Sequence, residues 1–352
     1  MLSTNTSILK LMMTLMITNS PLISQSMIFK RNQFSLQNSR FSKISSPILH
    51  SHQFSTNHIT SCLFSHIIAT SKSPISQGID NEDLFLNWRI RFQFDGRIRD
   101  ARYTTLNSCI FQYCFSYSTA GCIDIFNGRV DITRNTFYHN NGKYGGAIRV
   151  TNVYKLAFNQ NSFDLNTADH FGAAYLDTNQ KDQISSKQNN FTRNSGNVWV
   201  GALELDRTTG LLQDFIFQNN RADQCAAYYD FTSPPHSNNL INFLFLNNSA
   251  RKRGGAITNF HWGQIAEYFN CVFIGNRCNE GNCIYMETRK IQVTLKLCAF
   301  DCTEKEAIYQ KWGGSEALND NSMFETPKSI MSEKYQKLIE AIEPVPKLEW
   351  FL

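Results

Sequence analysis

The sequence predicts an all-β protein, a right-handed parallel β-helix with about 27 residues per coil and a short C-terminal helical cap. Three observations predict this fold: a phenylalanine that recurs at nearly constant spacing, an asparagine three residues after it, and a G-G-A-I motif that recurs in step. Between these motifs, short runs alternate apolar and polar residues with a period of two, which is typical of strands.

The phenylalanine motif predicts the core of eight stacked coils. Its members are Phe111, Phe137, Phe163, Phe191, Phe217, Phe245, Phe273 and Phe300. The asparagines that follow six of them are Asn140, Asn166, Asn194, Asn220, Asn248 and Asn276. Because like residues stack on like in a solenoid, we expect a continuous aromatic core and a buried asparagine ladder whose amides bond to one another. The crossover rule favours a right-handed coil.

The G-G-A-I motif is complete at residues 145–148 and 254–257 and partial in the other coils. The position after its large apolar residue should face outward, and it reads Asp124, Arg149, Leu176, Glu204, Tyr229, Thr258, Tyr285 and Tyr309. We expect Tyr229, Tyr285 and Tyr309 to form an exposed strip suited to sugar or protein contacts. The alternative is that these tyrosines only stabilise the sheet by lateral packing.

Together, the two motifs resemble the repeats of the polymorphic outer-membrane-protein family, over about residues 105–312. The resemblance implies a right-handed parallel β-helix that serves as a surface passenger or adhesin. Members of that family also carry a C-terminal barrel of amphipathic strands, a pattern that does not occur after Gly314. A soluble or secreted relative of the repeat is therefore favoured.

The chain divides into four predicted regions around this repeat. Residues 1–50 form a signal-like or poorly ordered lead-in that is basic and rich in serine, and residues 51–104 form irregular N-terminal coils with an arginine-rich hairpin insertion. Residues 105–312 form the β-helix, and residues 313–352 form the cap. The first 79 residues contain six bases and no acid. The apolar run from Ile8 to Ile17 suits a signal peptide; a capping strand or helix and an organelle presequence are the alternatives.

The two ends of the solenoid carry their own signals. Ser61–Phe64 repeats the pattern of Ser108–Phe111 at a distance of 47 residues, which is one coil plus about 20 inserted residues. The alternating residues 88–94, followed by Asp-Gly, predict a hairpin within that insertion. After the last coil, Thr326 and Pro327 suit a helix start. One face of this helix would carry Met331, Tyr335, Leu338 and Ile342. We expect this helix to cover the open end of the sheet.

One acidic cluster raises the question of catalysis, because parallel β-helices also carry polysaccharide lyases and hydrolases. The cluster comprises Asp177, Glu204, Asp206 and Asp230 over three coils, enough for calcium or for acid–base chemistry. Solvated carboxylates are the favoured interpretation. We therefore expect a non-catalytic, adhesin-like binding or structural scaffold without a cofactor or metal. The alternative is a pectin or uronate lyase, or a glycoside hydrolase.

The ten cysteines lack metal-binding spacing. Four fall in C-x-F, at Cys62, Cys109, Cys271 and Cys298. Packing as small buried hydrophobes is favoured over a disulfide between Cys271 and Cys298 in adjacent coils.

Two basic groups could meet polyanionic glycans or nucleic acid: the arginines between Arg89 and Arg102, and the run Arg251–Arg253. We expect glycans or a host or cell-surface protein as partners, no nucleic acid, no transmembrane segment and a monomer. Asn190 and Asn247 are candidate glycosylation sites. The expected location is extracellular or at the cell surface, with the cytoplasm as the alternative.

Overall fold

The computed structural model describes residues 27–29, 33–37, 40–44, 49–52, 56–69, 75–78, 103–178, 183–232, 238–260, 265–312, 314–326 and 328–341. These residues form an all-β parallel solenoid of about 26 residues per turn, close to the predicted 27, with only two short helices. Every strand pairing in this part of the chain is parallel, so the fold class predicted from the sequence is confirmed. Among the described residues, no helix is both long enough and apolar enough to cross a membrane.

The strands and helices follow one another in chain order. The N-terminal strands are β1 (Met27–Phe29), β2 (Gln33–Gln37), β3 (Arg40–Ile44), β4 (Leu49–His52), β5 (Thr56–Thr60), β6 (Leu63–Ala69) and β7 (Ile75–Gly78). The next coils contain β8 (Tyr103–Asn107), β9 (Ile110–Gln112), β10 (Phe115–Ser116), β11 (Ile123–Thr133), β12 (Thr136–Tyr138), β13 (Asn141–Gly142), β14 (Ile148–Asn159), β15 (Ser162–Asp164), β16 (Thr167–Ala168), β17 (Ala174–Thr178), β18 (Gln183–Lys187), β19 (Asn190–Thr192) and β20 (Ser195–Gly196). They are followed by β21 (Leu203–Asp206), β22 (Thr209–Gln213), β23 (Ile216–Gln218), β24 (Arg221–Ala222), β25 (Tyr228–Phe231), β26 (Asn238–Ile241), β27 (Leu244–Leu246), β28 (Ser249–Ala250), β29 (Ile257–Asn259), β30 (Ile265–Phe269), β31 (Val272–Ile274), β32 (Ile284–Met286), β33 (Gln292–Lys296) and β34 (Ala299–Phe300). The chain then forms α1 (Glu304–Ala307), β35 (Ile308–Gln310), β36 (Glu316–Asp320) and α2 (Lys328–Ala341).

The predicted phenylalanine column forms the centre of the core. Phe111 pairs in register with Phe137, and the pairing continues coil by coil to Phe300. Neighbouring rings are stacked with centroids 4.6–5.2 Å apart. The column also continues beyond both predicted ends, to Phe64 and to Phe324. Phe64 stacks directly on Phe111, so the 47 residues between them span a single coil, and this coil contains the predicted insertion. The hairpin predicted within the insertion lies outside the described residues.

At the ends of most phenylalanine strands the chain turns through one residue with left-handed backbone angles. His139 (φ 53°) precedes Asn140, and Arg193 (φ 53°) precedes Asn194. The next residue points inward, and in the main ladder it is an asparagine whose amide bonds to buried backbone groups of the neighbouring coils. These inward corners are where the ladder stands.

The glycine motif is required by close approach between coils. A Cβ atom on Gly201 would lie 2.2 Å from the carbonyl oxygen of Ala226. In the third copy of the motif, Ala174 pairs with Ile148 and with Leu203. Tyr175, and not the predicted Leu176, therefore occupies the outward position beside Arg149 and Glu204. Sequence alignment on the large residue of Gly-Ala-Ala-Tyr misplaced this coil by one residue, and Leu176 points into the core.

The C-terminal helix forms where the sequence predicts it but packs elsewhere. Its buried residues Met331 and Leu338 join a cluster on the outward side of the phenylalanine strands, formed by Leu244, Leu246, Val272 and Ala299. Tyr335 and Ile342 lie outside the described side chains. The expectation that α2 covers the open end is wrong: β36 continues the solenoid by pairing with β33, and α2 docks on the lateral surface of earlier coils.

Candidate functional site

The candidate site is the outward surface of strands β17, β21, β25, β29, β32 and β35, which we call the acid–aromatic face. Its first column of side chains comprises Tyr175, Glu204, Tyr229, Thr258, Tyr285 and Tyr309. A second column, two residues further along each strand, begins with Asp177, Asp206 and Phe231. Because the strands are parallel and in register, these two columns run along the solenoid axis.

The four acids of the predicted cluster separate into two groups. Asp177 and Asp206 are direct partners on adjacent strands, and Glu204 lies outward on the same strand as Asp206. Asp230 instead pairs with Leu205 in the inward column. Asp177 is thus an outward residue and Asp230 an inward one, so these two acids do not occupy equivalent positions in their coils. Three acids therefore share the outward face, and the fourth lies inside the coil.

The buried Asp230 is held by a polar network in the core. Its carboxylate accepts hydrogen bonds from the Thr232 backbone N–H (3.1 Å), the Asn238 side-chain amide (3.1 and 3.2 Å) and the Tyr228 hydroxyl (3.3 Å). Burial raises the pKa of Asp230 even though these donors favour its charged form. This arrangement satisfies a polar group within the core and leaves Asp230 out of reach of a ligand on the outer surface.

The outward acids lie in a desolvated environment. Asp177 forms an ion pair with Arg207, yet burial outweighs that pairing and raises the pKa of Asp177 to about 6. Asp206 accepts a hydrogen bond from the Tyr175 hydroxyl at 2.7 Å. Burial, and secondarily the charge of Asp206, raises the pKa of Glu204 well above its ordinary value. Glu204 is 7% exposed, and it makes no side-chain hydrogen bond within the described part of the chain.

The predicted tyrosine strip is aligned but is mostly covered. Tyr229, Thr258, Tyr285 and Tyr309 occupy one line, as expected. The expected exposure is wrong for Tyr229 (5%) and Tyr285 (1%), whereas Tyr309 is 37% exposed.

Neighbouring side chains account for this burial. Tyr229 packs in a cluster with Val200 and Cys225, flanked by Trp199, Phe231 and Phe260. Tyr285 is covered by the Arg253 guanidinium, 5.5 Å from the ring centroid, and stacks on Tyr309 at 5.4 Å. The aromatic surface that a ligand can reach is therefore formed by other rings. Those half-buried rings are Phe171, Tyr175, Trp199, Phe231 and Phe260.

The acid–aromatic face has no recognisable metal centre. Within the residues that the structure describes, no three His, Cys, Asp or Glu side chains are grouped so as to hold a metal ion. The calcium hypothesis needed all four acids on one surface, and the inward direction of Asp230 removes one of them.

One of the two basic groups singled out in the sequence lies among the described residues. The arginines between Arg89 and Arg102 lie outside the described residues. In the run 251–253, Arg251 and Lys252 both pair with Asp223, and Arg253 pairs with Glu287. Each of the three cations therefore has a carboxylate partner, although Arg251 and Lys252 share a single one.

The cysteines behave as packing residues. All ten are free thiols, and Cys271 and Cys298 form no disulfide. Two others, Cys283 and Cys302, approach with their Sγ atoms 3.9 Å apart. Burial raises the pKa of Cys283 well above its ordinary value, which suits an unreactive buried thiol.

The six predicted ladder asparagines are all buried and form the expected ladder. In Asn166, for example, Oδ1 accepts the backbone N–H (3.1 Å) and the Nδ2–H (2.9 Å) of Asn140. Its own Nδ2 donates to the Phe137 carbonyl (3.0 Å) and to Asn194 Oδ1 (3.0 Å). Each internal amide thus bonds to the coils before and after it. Of the glycosylation candidates, Asn190 is half-buried and Asn247 is exposed.

Sequence reasoning missed a second ladder at the other end of the phenylalanine strands. Asn135, Asn161 and Asn189 repeat the same pattern, with Asn135 Nδ2 donating to Asn161 Oδ1 at 3.1 Å. The signal was present two residues before each phenylalanine, a column that reads Cys62, Cys109, Asn135, Asn161, Asn189, Phe215, Phe243, Cys271 and Cys298. All nine side chains are buried. This corner is therefore occupied either by an asparagine that forms hydrogen bonds to neighbouring coils or by an apolar side chain that needs none.

Comparison with known proteins identified no relative of this chain. No protein-family model matches the sequence, and no curated protein or solved structure is significantly similar to the chain. The resemblance to the polymorphic outer-membrane-protein repeat thus rests on the two sequence motifs.

Proposed function

We propose that the chain is a non-catalytic, adhesin-like scaffold at the cell surface or outside the cell, and that its acid–aromatic face binds a glycan. The observation that carries the proposal is that half-buried aromatic rings and carboxylates lie together on consecutive, rigidly stacked coils. Aromatic rings offer large contact areas at little entropic cost, and a few placed polar groups fix the orientation of a ligand.

The geometry around the reachable rings supports a sugar as the ligand. Phe171 stacks on Tyr175 with centroids 4.6 Å apart, and Phe231 stacks on Phe260 at 4.9 Å. Between these pairs stands the carboxylate of Asp206, whose side chain is 18% exposed. Apolar platforms that flank a hydrogen-bond acceptor suit the apolar face and the hydroxyl groups of a pyranose ring.

Two further features support a surface or secreted location. The G-G-A-I and F-x-x-N motifs resemble repeats used by surface adhesins. Asn190, which lies away from the groove described below, is on the outer surface of the solenoid, where an N-linked glycan could be attached. A tagged chain found at the surface or in the medium of its own cells would agree with the proposal, and retention in the cytoplasm would contradict it.

Binding is tested by screening the full chain on a glycan array. The affinity for any bound glycan is then measured for Trp199→Ala and Phe260→Ala, with Tyr117→Ala as control because Tyr117 is a 65% exposed aromatic residue outside this face. We expect about tenfold weaker binding for the first two variants and no change for the control. Absence of glycan binding, or binding to protein ligands alone, would contradict the proposal.

A second candidate function is polysaccharide cleavage, and one observation favours it. Glu204 and Asp206 face outward two residues apart on one strand, so their carboxyl groups lie on the same side of the sheet, as the acid and base of a glycosidase must. The raised pKa of Glu204 would keep it protonated, as a general acid must be.

Cleavage and binding are separated by incubating the chain with pectin and other polyuronates, with and without calcium. Release of reducing ends or unsaturated products that is abolished in Glu204→Gln would replace the binding proposal by the enzymatic one. Glycan retention without any product would support the scaffold.

A further inference from the structure

Apart from the acid–aromatic face, a groove runs along the solenoid next to the main asparagine ladder. It encloses about 870 Å³. The ten residues that line it include three arginines, Arg193, Arg221 and Arg277, and none of the ten is acidic. Its remaining polar lining comes from asparagines and serines, among them Asn219, Asn247 and Ser249.

The parallel register sets the spacing of these charges. Ser195, Arg221, Ser249 and Arg277 are successive partners in one column on strands β20, β24 and β28 and the coil after them. Arginine therefore alternates with serine from one coil to the next. Two coils of a parallel sheet correspond to a rise of about 9.6 Å, which is the axial distance between Arg221 and Arg277.

These two arginines carry charge that the protein does not neutralise. Arg193 pairs with Asp164. Arg221 and Arg277 are exposed, and within the described residues neither forms an ion pair or a side-chain hydrogen bond. They differ in this respect from Arg251 and Lys252, which share Asp223.

We infer that this groove binds a linear anionic polysaccharide, one that carries sulfate or carboxylate groups at a repeat close to the two-coil rise. The guanidinium groups would bind the anions by charge-assisted hydrogen bonds, and the amides and hydroxyls between them would bind sugar hydroxyl groups. Because the two unpaired arginines lie two coils apart in one column, the groove suits a polymer with repeated charges better than a single small anion.

The composition of the groove favours a polysaccharide over a nucleic acid. Sites for single-stranded nucleic acids combine a basic groove with aromatic rings on which bases stack. The ten lining residues of this groove include no aromatic side chain. The groove is also separate from the acid–aromatic face, so its ligand can be tested independently of the glycan proposed above.

The double variant Arg221→Ser/Arg277→Ser tests the inference, because serine already occupies the alternate coils of the same column. The matched control is Arg251→Ser/Lys252→Ser, which removes the same charge from an exposed, internally paired site. A glycan on Asn247 would occupy the groove, so the full chain is produced without N-glycosylation. Affinities for heparin, polygalacturonate, neutral dextran and single-stranded DNA are measured at low and physiological salt, and folding is checked by thermal melting.

We expect heparin or polygalacturonate to bind and dextran not to bind. The groove variant should lose about tenfold or more in affinity with unchanged melting, whereas the control variant should stay within about twofold of the wild type. Equal losses in both variants would indicate diffuse charge attraction and overturn the inference, as would unchanged binding in the groove variant. Tighter binding of DNA than of either polyanionic polysaccharide, lost in the groove variant, would assign the groove to nucleic acid instead.

Discussion

At the scale of single residues, the main ladder is the feature whose energetic role is most sharply defined. Asn194 is fully buried; its Oδ1 accepts two hydrogen bonds from Asn166, and its Nδ2 donates to the Phe163 carbonyl and to Asn220. Leucine is close in size and forms none of these bonds. The substitution therefore leaves buried amide and carbonyl groups in the neighbouring coils without partners.

We expect Asn194→Leu to lower the free energy of unfolding by about 1–3 kcal/mol in chemical denaturation. The matched control is Asn141→Leu, which changes an exposed asparagine beside the ladder and should alter stability by less than about 0.5 kcal/mol. Equal effects of the two substitutions would show that Asn194 is not part of a buried ladder.

Glu204 predicts a pH dependence of stability. Its pKa is raised in the folded protein, so the folded state holds its proton over a pH range where the unfolded chain has lost it. Stability contributed by this group is thus fully present below the unfolded pKa of about 4.3 and is lost as pH rises towards the folded value. Glutamine resembles the protonated acid and cannot ionise.

We expect Glu204→Gln to be more stable than the wild type at pH 7.5 and equally stable near pH 4. The measurement is chemical denaturation across this pH range, with the exposed Glu316→Gln as control. A loss of stability at pH 7.5 would mean that Glu204 is ionised and paired in the folded protein.

At the scale of elements, the sequence predicts most reliably what repeats most regularly. The phenylalanine column and its asparagines have near-constant spacing, and both appear in the structure in the predicted register. The second ladder was not predicted because its column holds asparagine in only three coils, at Asn135, Asn161 and Asn189. The other coils have cysteine or phenylalanine at that position, so the asparagine repeat is not apparent from the sequence. Tyr175 was misplaced because the sequence Gly-Ala-Ala-Tyr was aligned with its tyrosine at the large apolar position of the motif. In the structure the second alanine, Ala174, occupies that position.

Tertiary packing, which local periodicity does not encode, decided the remaining differences. The helical pattern after Thr326 predicts α2, but the position of α2 depends on the apolar outer surface of β27, β31 and β34. In the same way, the burial of Tyr229 depends on Trp199 and Val200 in a neighbouring coil. Strand periodicity determines whether a side chain points outward. Whether that side chain is exposed to solvent depends on the side chains that pack over it from neighbouring coils.

The docking of α2 gives a prediction at this scale. Leu338 is 3% exposed and packs, with Met331, on the outer surface of the phenylalanine strands. We expect Leu338→Ala to weaken this docking by about 2 kcal/mol or more. Amide hydrogen exchange should then accelerate in α2 and remain unchanged in the coils. The exposed Glu333→Ala is the control, and unchanged protection of α2 in Leu338→Ala would contradict the assigned contact.

At the scale of the whole molecule, both proposed binding surfaces depend on in-register stacking. The acid–aromatic face and the basic groove are axial lines of side chains, and each line exists only because residues about one turn apart in sequence are neighbours in space. A shift of one residue between two coils would turn an outward side chain inward, as the outward Asp206 and the inward Asp230 illustrate on adjacent strands.

The exposed column beside the main ladder allows this stacking to be measured in solution. Asn141, Arg221, Ser249 and Arg277 all belong to it, and all four are exposed. Counted from Asn141, the other three lie three, four and five coils away, which corresponds to axial distances of about 14, 19 and 24 Å.

The central claim is that the coils stack in register. Pulsed electron–electron double resonance between spin labels on cysteines introduced at these positions tests it most directly. The two half-buried native thiols, Cys278 and Cys302, are replaced by serine so that labelling is restricted to the introduced sites. The solenoid predicts that the distance from position 141 increases by about 4.8 Å for each added coil, from position 221 to 249 to 277. Unequal increments, or a distance that does not increase along this series, would contradict in-register stacking and with it both binding surfaces.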